Sequence, residues 1–233
     1  MPLKKWIDSA NNAIEGILTA ARNERHVRYH LYAATAVLLF SYASGVTTTE
    51  FLIVSILTIL VITTELLNTA IETVVDISSP QISEQARIAK DVAAGAVLIS
   101  AVGSAIVGYI ILFPYLVKFF KRGLSITAHG GNEIAVLSLI IVSILVILVK
   151  SLTSGKGHPL RGGMPSGHAA LSFSVWVSIT VITQNLVVST LSFLGATAIA
   201  ASRVESKIHT VAEVIIGALL GSIATYLLFI VFT

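Results

Sequence analysis

The sequence predicts an all-α, polytopic membrane protein: an N-terminal interfacial helix followed by about seven transmembrane helices, arranged in two units. Three observations predict it. Of 233 residues, 55% are hydrophobic and 12% charged, about half the charged share of an ordinary soluble domain. Mean hydropathy is +0.89. Apolar runs fit to build spans of about 20 residues recur along the chain. A water-soluble globule is therefore excluded. Cysteine is absent, which excludes a disulfide framework, a thiolate metal site and a cysteine nucleophile. The net charge of +3 sits beside apolar runs, where basic residues record membrane orientation, so nucleic acid is not an expected partner.

The first element is amphipathic. Trp6, Ile7, Ala10, Ile14, Ile17, Leu18 and Ala21 recur at helical spacing opposite Lys4, Lys5, Asp8, Asn12, Glu15 and Arg22, which predicts a helix lying in the membrane interface. Asp8, Asn11, Asn12 and Glu15 interrupt any uncharged core, so it is not a secretory signal. Apolar segments then run over 31–44, 51–75, 92–113, 134–149, 169–183, 187–201 and 211–232. The first is short, and its helix is expected to reach back through Arg28, because nothing over 26–44 breaks it and a snorkelling end is inexpensive. The stretch from Pro114 to Glu133 is polar and punctuated by Gly123, Gly130 and Gly131, the expected domain boundary. No repeat crosses it. The expected organisation is a first domain over 1–116, a connector over 117–133 and a second domain over 134–233.

Twelve of the 15 Lys and Arg fall in alternate flanks: Lys4, Lys5, Arg22, Arg25 and Arg28; Arg87 and Lys90; Lys150, Lys156 and Arg161; Arg203 and Lys207. The other side has Lys118, Lys121 and Arg122, all in one connector. The positive-inside rule then puts the N-terminus and the 77–91, 150–168 and 202–209 loops in the cytoplasm, and the C-terminus outside.

Chemistry is concentrated in two places. In the second span Glu65, Asn68, Glu72 and Asp76 are spaced three, four and four apart, which stacks them on one helical face. Ionised carboxylates in such a setting cost several kcal/mol each unless paired, hydrated or bound to a cation, so the stripe implies a cation or a catalytic role. Glu24 and Arg28 before the first span and Lys90-Asp91 before the third bring further charge to the same level of the membrane. Hard carboxylate oxygens with open coordination positions suit Mg²⁺ carrying a nucleotide phosphate.

The segments Asn23-Glu24 with Arg28, Glu65-Leu66-Leu67-Asn68-Thr69-Ala70-Ile71-Glu72 with Asp76, and Ala89-Lys90-Asp91 resemble the small integral-membrane diacylglycerol kinase and undecaprenol kinase family. The resemblance covers about residues 1–113. It implies a three-span fold, a homotrimer, and transfer of the γ-phosphoryl group of ATP, with Mg²⁺, to a lipid hydroxyl. It also implies Glu65 as general base, Glu24 and Glu72 as metal-holding carboxylates, and Asn68, Asp76, Lys90, Asp91 and Arg28 as the nucleotide site. A positioned carboxylate can take a proton from an alcohol, and charge neutralisation would do the rest. The stretch from Asn23 to His30 is more similar to the polyprenol-preferring branch than to the diacylglycerol-preferring one. His30 reads as a snorkelling, hydrogen-bonded group and His129 as a loop residue.

In the second half, Lys150 ends the fourth span, Pro165-Ser166-Gly167-His168 opens the fifth, and Ser202-Arg203 with His209 precedes the seventh. Cationic groups and a glycine-flanked helix N-terminus form an anion site. Two histidines there can divide the work, one attacking phosphorus and the other protonating the departing oxygen. This requires no metal, and a zinc reading lacks a third ligand at suitable spacing. These residues resemble the type-2 phosphatidic acid phosphatase family over about 134–229. The resemblance implies His209 as nucleophile, Glu213 as its orienter and His168 as general acid. Lys150, Arg203, Ser166 and Gly167 would hold the phosphoryl oxygens. Two departures stand out. Lys150 is followed by His158-Pro159 where the family has Arg-Pro, leaving Arg161 or Lys156 to supply the cation, and Glu213 replaces the usual aspartate.

The expected protein is thus a bifunctional enzyme of the bacterial cytoplasmic (inner) membrane, with a three-span lipid kinase and a four-span lipid phosphatase. Both sites are expected on the cytoplasmic side. Its kinase half would use ATP and Mg²⁺ on a polyprenol or diacylglycerol, and its phosphatase half no cofactor. If both halves acted on one monophosphate they would waste ATP. Convergence avoids this, with undecaprenyl phosphate made from undecaprenol by one half and from undecaprenyl diphosphate by the other. Two rival readings are a kinase with a degenerate, regulatory phosphatase-like half, and an ion or lipid transporter. The transporter explains the acidic stripe but leaves the two histidine motifs without purpose.

Overall fold

The structure is a computed structural model that describes residues 2–79, 83–123, 126–153 and 163–233. The described residues form eight α-helices: α1 (Pro2–Asn23), α2 (Arg25–Ala43), α3 (Thr48–Ser78), α4 (Glu84–Arg122), α5 (Gly131–Thr153), α6 (Gly167–Thr183), α7 (Leu186–Glu205) and α8 (Val211–Phe232). The architecture is that of an all-helical polytopic membrane protein. Among the described residues α3, α4, α5, α7 and α8 are each long and apolar enough to cross a membrane. The seven expected spans therefore include two that do not reach that standard alone. α6 has 17 residues and is packed against α5, α7 and α8. α2 has 19 and carries Arg25, His26, Arg28 and His30 in its first turns.

The helices fall into two compact units, Glu24–Thr127 and α1 together with Ala128–Thr233. In the first unit α2 packs on α3 and α3 on α4. The α3–α4 pair is antiparallel, with Thr64 Oγ1 and Ser100 Oγ 2.7 Å apart and Ser104 Oγ donating to the Leu57 carbonyl at 3.5 Å. Thr47 and Glu50 close a capping box at the start of α3, satisfying N–H groups that have no partner inside the helix.

The third apolar segment extends further than its hydropathy suggests. The apolar segment is read over 92–113 with the polar stretch starting at Pro114, yet α4 continues through Pro114 to Arg122. A proline inside a membrane helix is tolerated where neighbouring groups hold the segment. Here Tyr115 donates its hydroxyl to Glu50 Oε2 at 2.8 Å, and Phe119 meets Phe40 edge-on with ring centroids 6.4 Å apart. The non-helical connection begins at Gly123, whose φ of 78° lies in the left-handed region that glycine adopts without strain.

In the second unit α6 is central. Val142 and Val146 of α5 pack on Ala170 with Leu220 and Ala224 of α8. Ala169 packs with Ala200 of α7 and Val214 of α8. The closest approach is between α6 and α8. A Cβ on Gly217 would stand 2.4 Å from the Ser166 carbonyl oxygen, and one on Gly221 would overlap the Ala170 carbonyl. Small residues four apart allow helices in lipid to pack backbone to backbone. A buried Ser174–Thr225 hydroxyl pair at 2.6 Å adds polar adhesion across the same seam. The amphipathic α1 buries Leu18, Ala20 and Ala21 and packs on α5.

Candidate active sites

Helical periodicity builds the first site. Glu65, Asn68, Glu72 and Asp76 follow one another up a face of α3, and the antiparallel α4 supplies Lys90. Glu65 is 6% exposed, with His30 Nε2 of α2 at 3.9 Å from its Oε2. Asn68 Nδ2 donates to Glu72 Oε1 at 3.0 Å. Lys90 is paired with Asp76. Asp91 is directed elsewhere: it accepts from Arg87 at 2.7 Å, which also grips Glu84. Glu24 caps the start of α2 without a side-chain capping bond, and Arg28 lies one turn on. The structure thus gathers Glu65, Asn68, Glu72, Asp76 and Lys90 into one strip, sets Glu24 and Arg28 at the start of α2, and holds Asp91 in a surface ion pair.

This strip fits a hard cation that carries its own ligands. Among the described residues no three His, Asp or Glu side chains cluster closely enough to hold a metal. Asn68 Oδ1, one turn from Glu72, is buried without a hydrogen-bond partner. In general Mg²⁺ sites use only one or two carboxylates, with water and substrate phosphate completing the octahedron.

The second site lies at one end of the α5–α8 unit. His209 precedes α8, and its Nδ1 is 2.8 Å from Glu213 Oε2. The same carboxylate closes the capping box of α8, accepting from the Thr210 N–H at 3.1 Å. Its other oxygen accepts from the Gly163 N–H at 2.9 Å, and the Glu213 main-chain carbonyl accepts from the Ser166 N–H at 3.0 Å. One residue therefore orients the imidazole and anchors the turn that leads into α6. Ser166 is the N-cap of α6 but makes no side-chain capping bond, and its hydroxyl is buried without a partner. The first turn of α6 thus presents uncapped N–H groups.

Around them stand Lys150, 3% exposed, and Arg203 in the last turn of α7. His168 is exposed and lies within electrostatic range of Arg203, His209 and Lys150. Burial pushes the His209 imidazole below the ordinary histidine range. The Lys150 and Arg203 cations act in the same direction, and the Glu213 carboxylate opposes them. The structure therefore gathers Lys150, Ser166, Gly167, His168, Arg203, His209 and Glu213. Arg161, its alternative Lys156 and His158-Pro159 lie outside the described residues. The sequence reading missed Gly163 and Gly217. The Gly217-x-x-x-Gly221 pattern was a signal available for the second, whereas the Gly163 contact spans 50 positions and left none.

These two sites can be set beside known proteins. Residues 11–112 match the prokaryotic diacylglycerol kinase family. Over 114 residues the chain is 40% identical to the undecaprenol kinase of Bacillus subtilis, covering 49% of this chain and 93% of that protein. The chain belongs to the prokaryotic diacylglycerol kinase family. A diacylglycerol kinase of Synechocystis is 38% identical over 104 residues, 44% of this chain and 59% of that one. That of Haemophilus influenzae is 32% identical over 98 residues, 42% and 83% respectively. Residues 148–233 match the PAP2 superfamily, so the chain is a lipid kinase fused to a phosphatase, with lipid and ATP as substrates of the kinase half. No solved structure gives a significant match.

Proposed function

We propose that the two halves converge on one product, undecaprenyl phosphate, the kinase making it from undecaprenol and the phosphatase from undecaprenyl diphosphate. The observation that carries this reading is the 40% identity to an undecaprenol kinase over 93% of its length, in a chain whose other half presents a His209–Glu213 pair among phosphate-binding cations. We assign the kinase to residues 1–116 and the phosphatase to 134–233, joined by 117–133. The protein acts in the bacterial inner membrane with both sites on the cytoplasmic side, where the basic residues concentrate, and the kinase half assembles as a homotrimer.

In the kinase half Glu65 takes the proton of the lipid hydroxyl. Glu24 and Glu72 hold Mg²⁺, while Asn68, Asp76, Lys90, Asp91 and Arg28 position the nucleotide. MgATP supplies the γ-phosphoryl group and neutralises its charge. In the phosphatase half His209 Nε2 attacks the terminal phosphorus, and the phosphorus–oxygen bond to the lipid phosphate breaks as His168 donates a proton to the departing oxygen. Water then attacks the phosphohistidine, its proton passing to His168, and inorganic phosphate leaves. Lys150, Arg161, Arg203 and the N–H groups at Ser166 and Gly167 carry the phosphoryl charge, so the step draws on no metal. Incubation of the purified chain with MgATP and a panel of lipid alcohols, monophosphates and diphosphates, read by mass, tests the whole. Undecaprenyl phosphate from both the alcohol and the diphosphate is expected. Its hydrolysis as the preferred phosphatase substrate would overturn convergence.

A further inference from the structure

Between α2, α3 and α4 lies a cavity of about 350 Å³ whose wall is apolar along most of its length. Its sides combine small residues, among them Ala34 of α2, Thr58 of α3 and Gly108 of α4, with larger ones such as Leu57 and Ile62 of α3. One end is polar: His30 lines it, and His30 Nε2 stands 3.9 Å from the buried Glu65 carboxylate. A Cβ added at Gly108 would meet no atom within 4 Å, so the space opposite that position is open.

We infer that this slot holds the hydrocarbon chain of the lipid alcohol, and that its limited volume selects a single polyisoprenoid chain over the paired chains of a diacylglycerol. The inference deepens the proposed function and rests on Glu65 being the base. The occupant follows from the shape and the polar end. An alcohol threaded into the slot delivers its hydroxyl at the His30–Glu65 end, where the proton is to be taken. The volume lies at the lower limit of small-molecule pockets, suited to one chain rather than two abreast. Transfer of apolar chain from a fluid bilayer offers little hydrophobic gain, so selection here comes from packing against the slot wall.

Gly108→Leu fills the slot without displacing backbone. The test uses the purified full-length chain in micelles, labelled ATP, and undecaprenol, diacylglycerol and a short prenol as acceptors. Gly108→Leu is expected to lower the ratio of kcat/KM for undecaprenol to that for the short prenol about tenfold, as the loss of a set of van der Waals packing contacts would. Ala105→Val, a smaller intrusion further from Glu65 on the same wall, shifts the ratio the same way by less, and carries the test if the first variant does not fold. Gly103→Leu is exposed, stands off the slot wall and leaves the ratio unchanged. An unchanged ratio in both slot variants overturns the inference. So does an equal loss with every acceptor accompanied by a changed oligomer mass, which would show that a second copy covers the slot. Glu65→Gln separates the two readings: retained phosphorylation in that variant removes the base assignment, while the ratio still reports on the slot.

Discussion

Glu213 shows how much one carboxylate can be asked to do. Its two oxygens take the Gly163 N–H, the Thr210 N–H and the His209 imidazole, so the same group caps a helix, holds a turn and orients the imidazole proposed as nucleophile. Glu213→Gln should lower phosphatase kcat/KM at least about a hundredfold, since an orienting carboxylate stabilises the positive charge the imidazole ring gains as it attacks. The pH profile carries the sign. His209 attacks unprotonated, and burial with the Lys150 and Arg203 cations already holds its pKa below the ordinary value, so the acidic limb of the parent lies below about 6.5. The carboxylate raises that pKa, so its loss moves the limb further toward acid. A limb that moves up in the variant would contradict this electrostatic account. In the other half, Glu65→Gln should abolish transfer from labelled ATP to undecaprenol while phosphatase turnover persists. Residual kinase rates near the parent's would remove the base.

At the scale of the helix pair, α8 is a template for the phosphate-binding turn. Its first turn bonds Ser166 N–H and Gly163 N–H through Glu213, and its next offers Gly217 as a flat seat for the Ser166 carbonyl. A methyl at Gly217 forces backbone apart, an overpacking cost of about 1–3 kcal/mol. Gly217→Ala should therefore lower the thermal midpoint and phosphatase activity together, whereas Gly195→Ala, where a Cβ meets nothing within 4 Å, should do neither. Calorimetry beside a phosphate-release assay checks both. The helices themselves were legible, because apolar runs in lipid must satisfy their backbone internally. So was the acidic strip, since spacings of three and four residues place side chains on one face of a helix; the His209–Glu213 pair was legible only through the resemblance, because His209 precedes α8 and its N-terminal turn brings the two together. The continuation of α4 past Pro114 was not, because the Tyr115–Glu50 bond that ties it down joins positions 65 apart. Asp91 was assigned to the nucleotide, yet the local i,i+4 pair with Arg87 holds it in this state, and such exposed pairs are weak enough to yield to a ligand.

For the molecule as a whole, the two halves differ in how they neutralise phosphate, and this makes them separable by chemistry. The kinase strip is anionic: Glu65, Glu72 and Asp76 with Asn68 and one lysine can approach a triphosphate only if a divalent cation lies between. The phosphatase pocket is cationic already, with Lys150 and Arg203 near His209 beside the first turn of α6, and its proposed nucleophile is an imidazole. Chelation by EDTA should therefore extinguish phosphorylation of undecaprenol by the full-length chain and leave release of phosphate from undecaprenyl diphosphate within about twofold of its starting rate. The expected contrast is large, because losing the cation exposes the γ-phosphate to like charge worth several kcal/mol. Re-addition of Mg²⁺ should restore the first activity alone. A phosphatase that stops with the kinase and revives with it would mean that the cationic pocket does not suffice for the phosphoryl charge, and the phosphohistidine route proposed for His209 would fall with it.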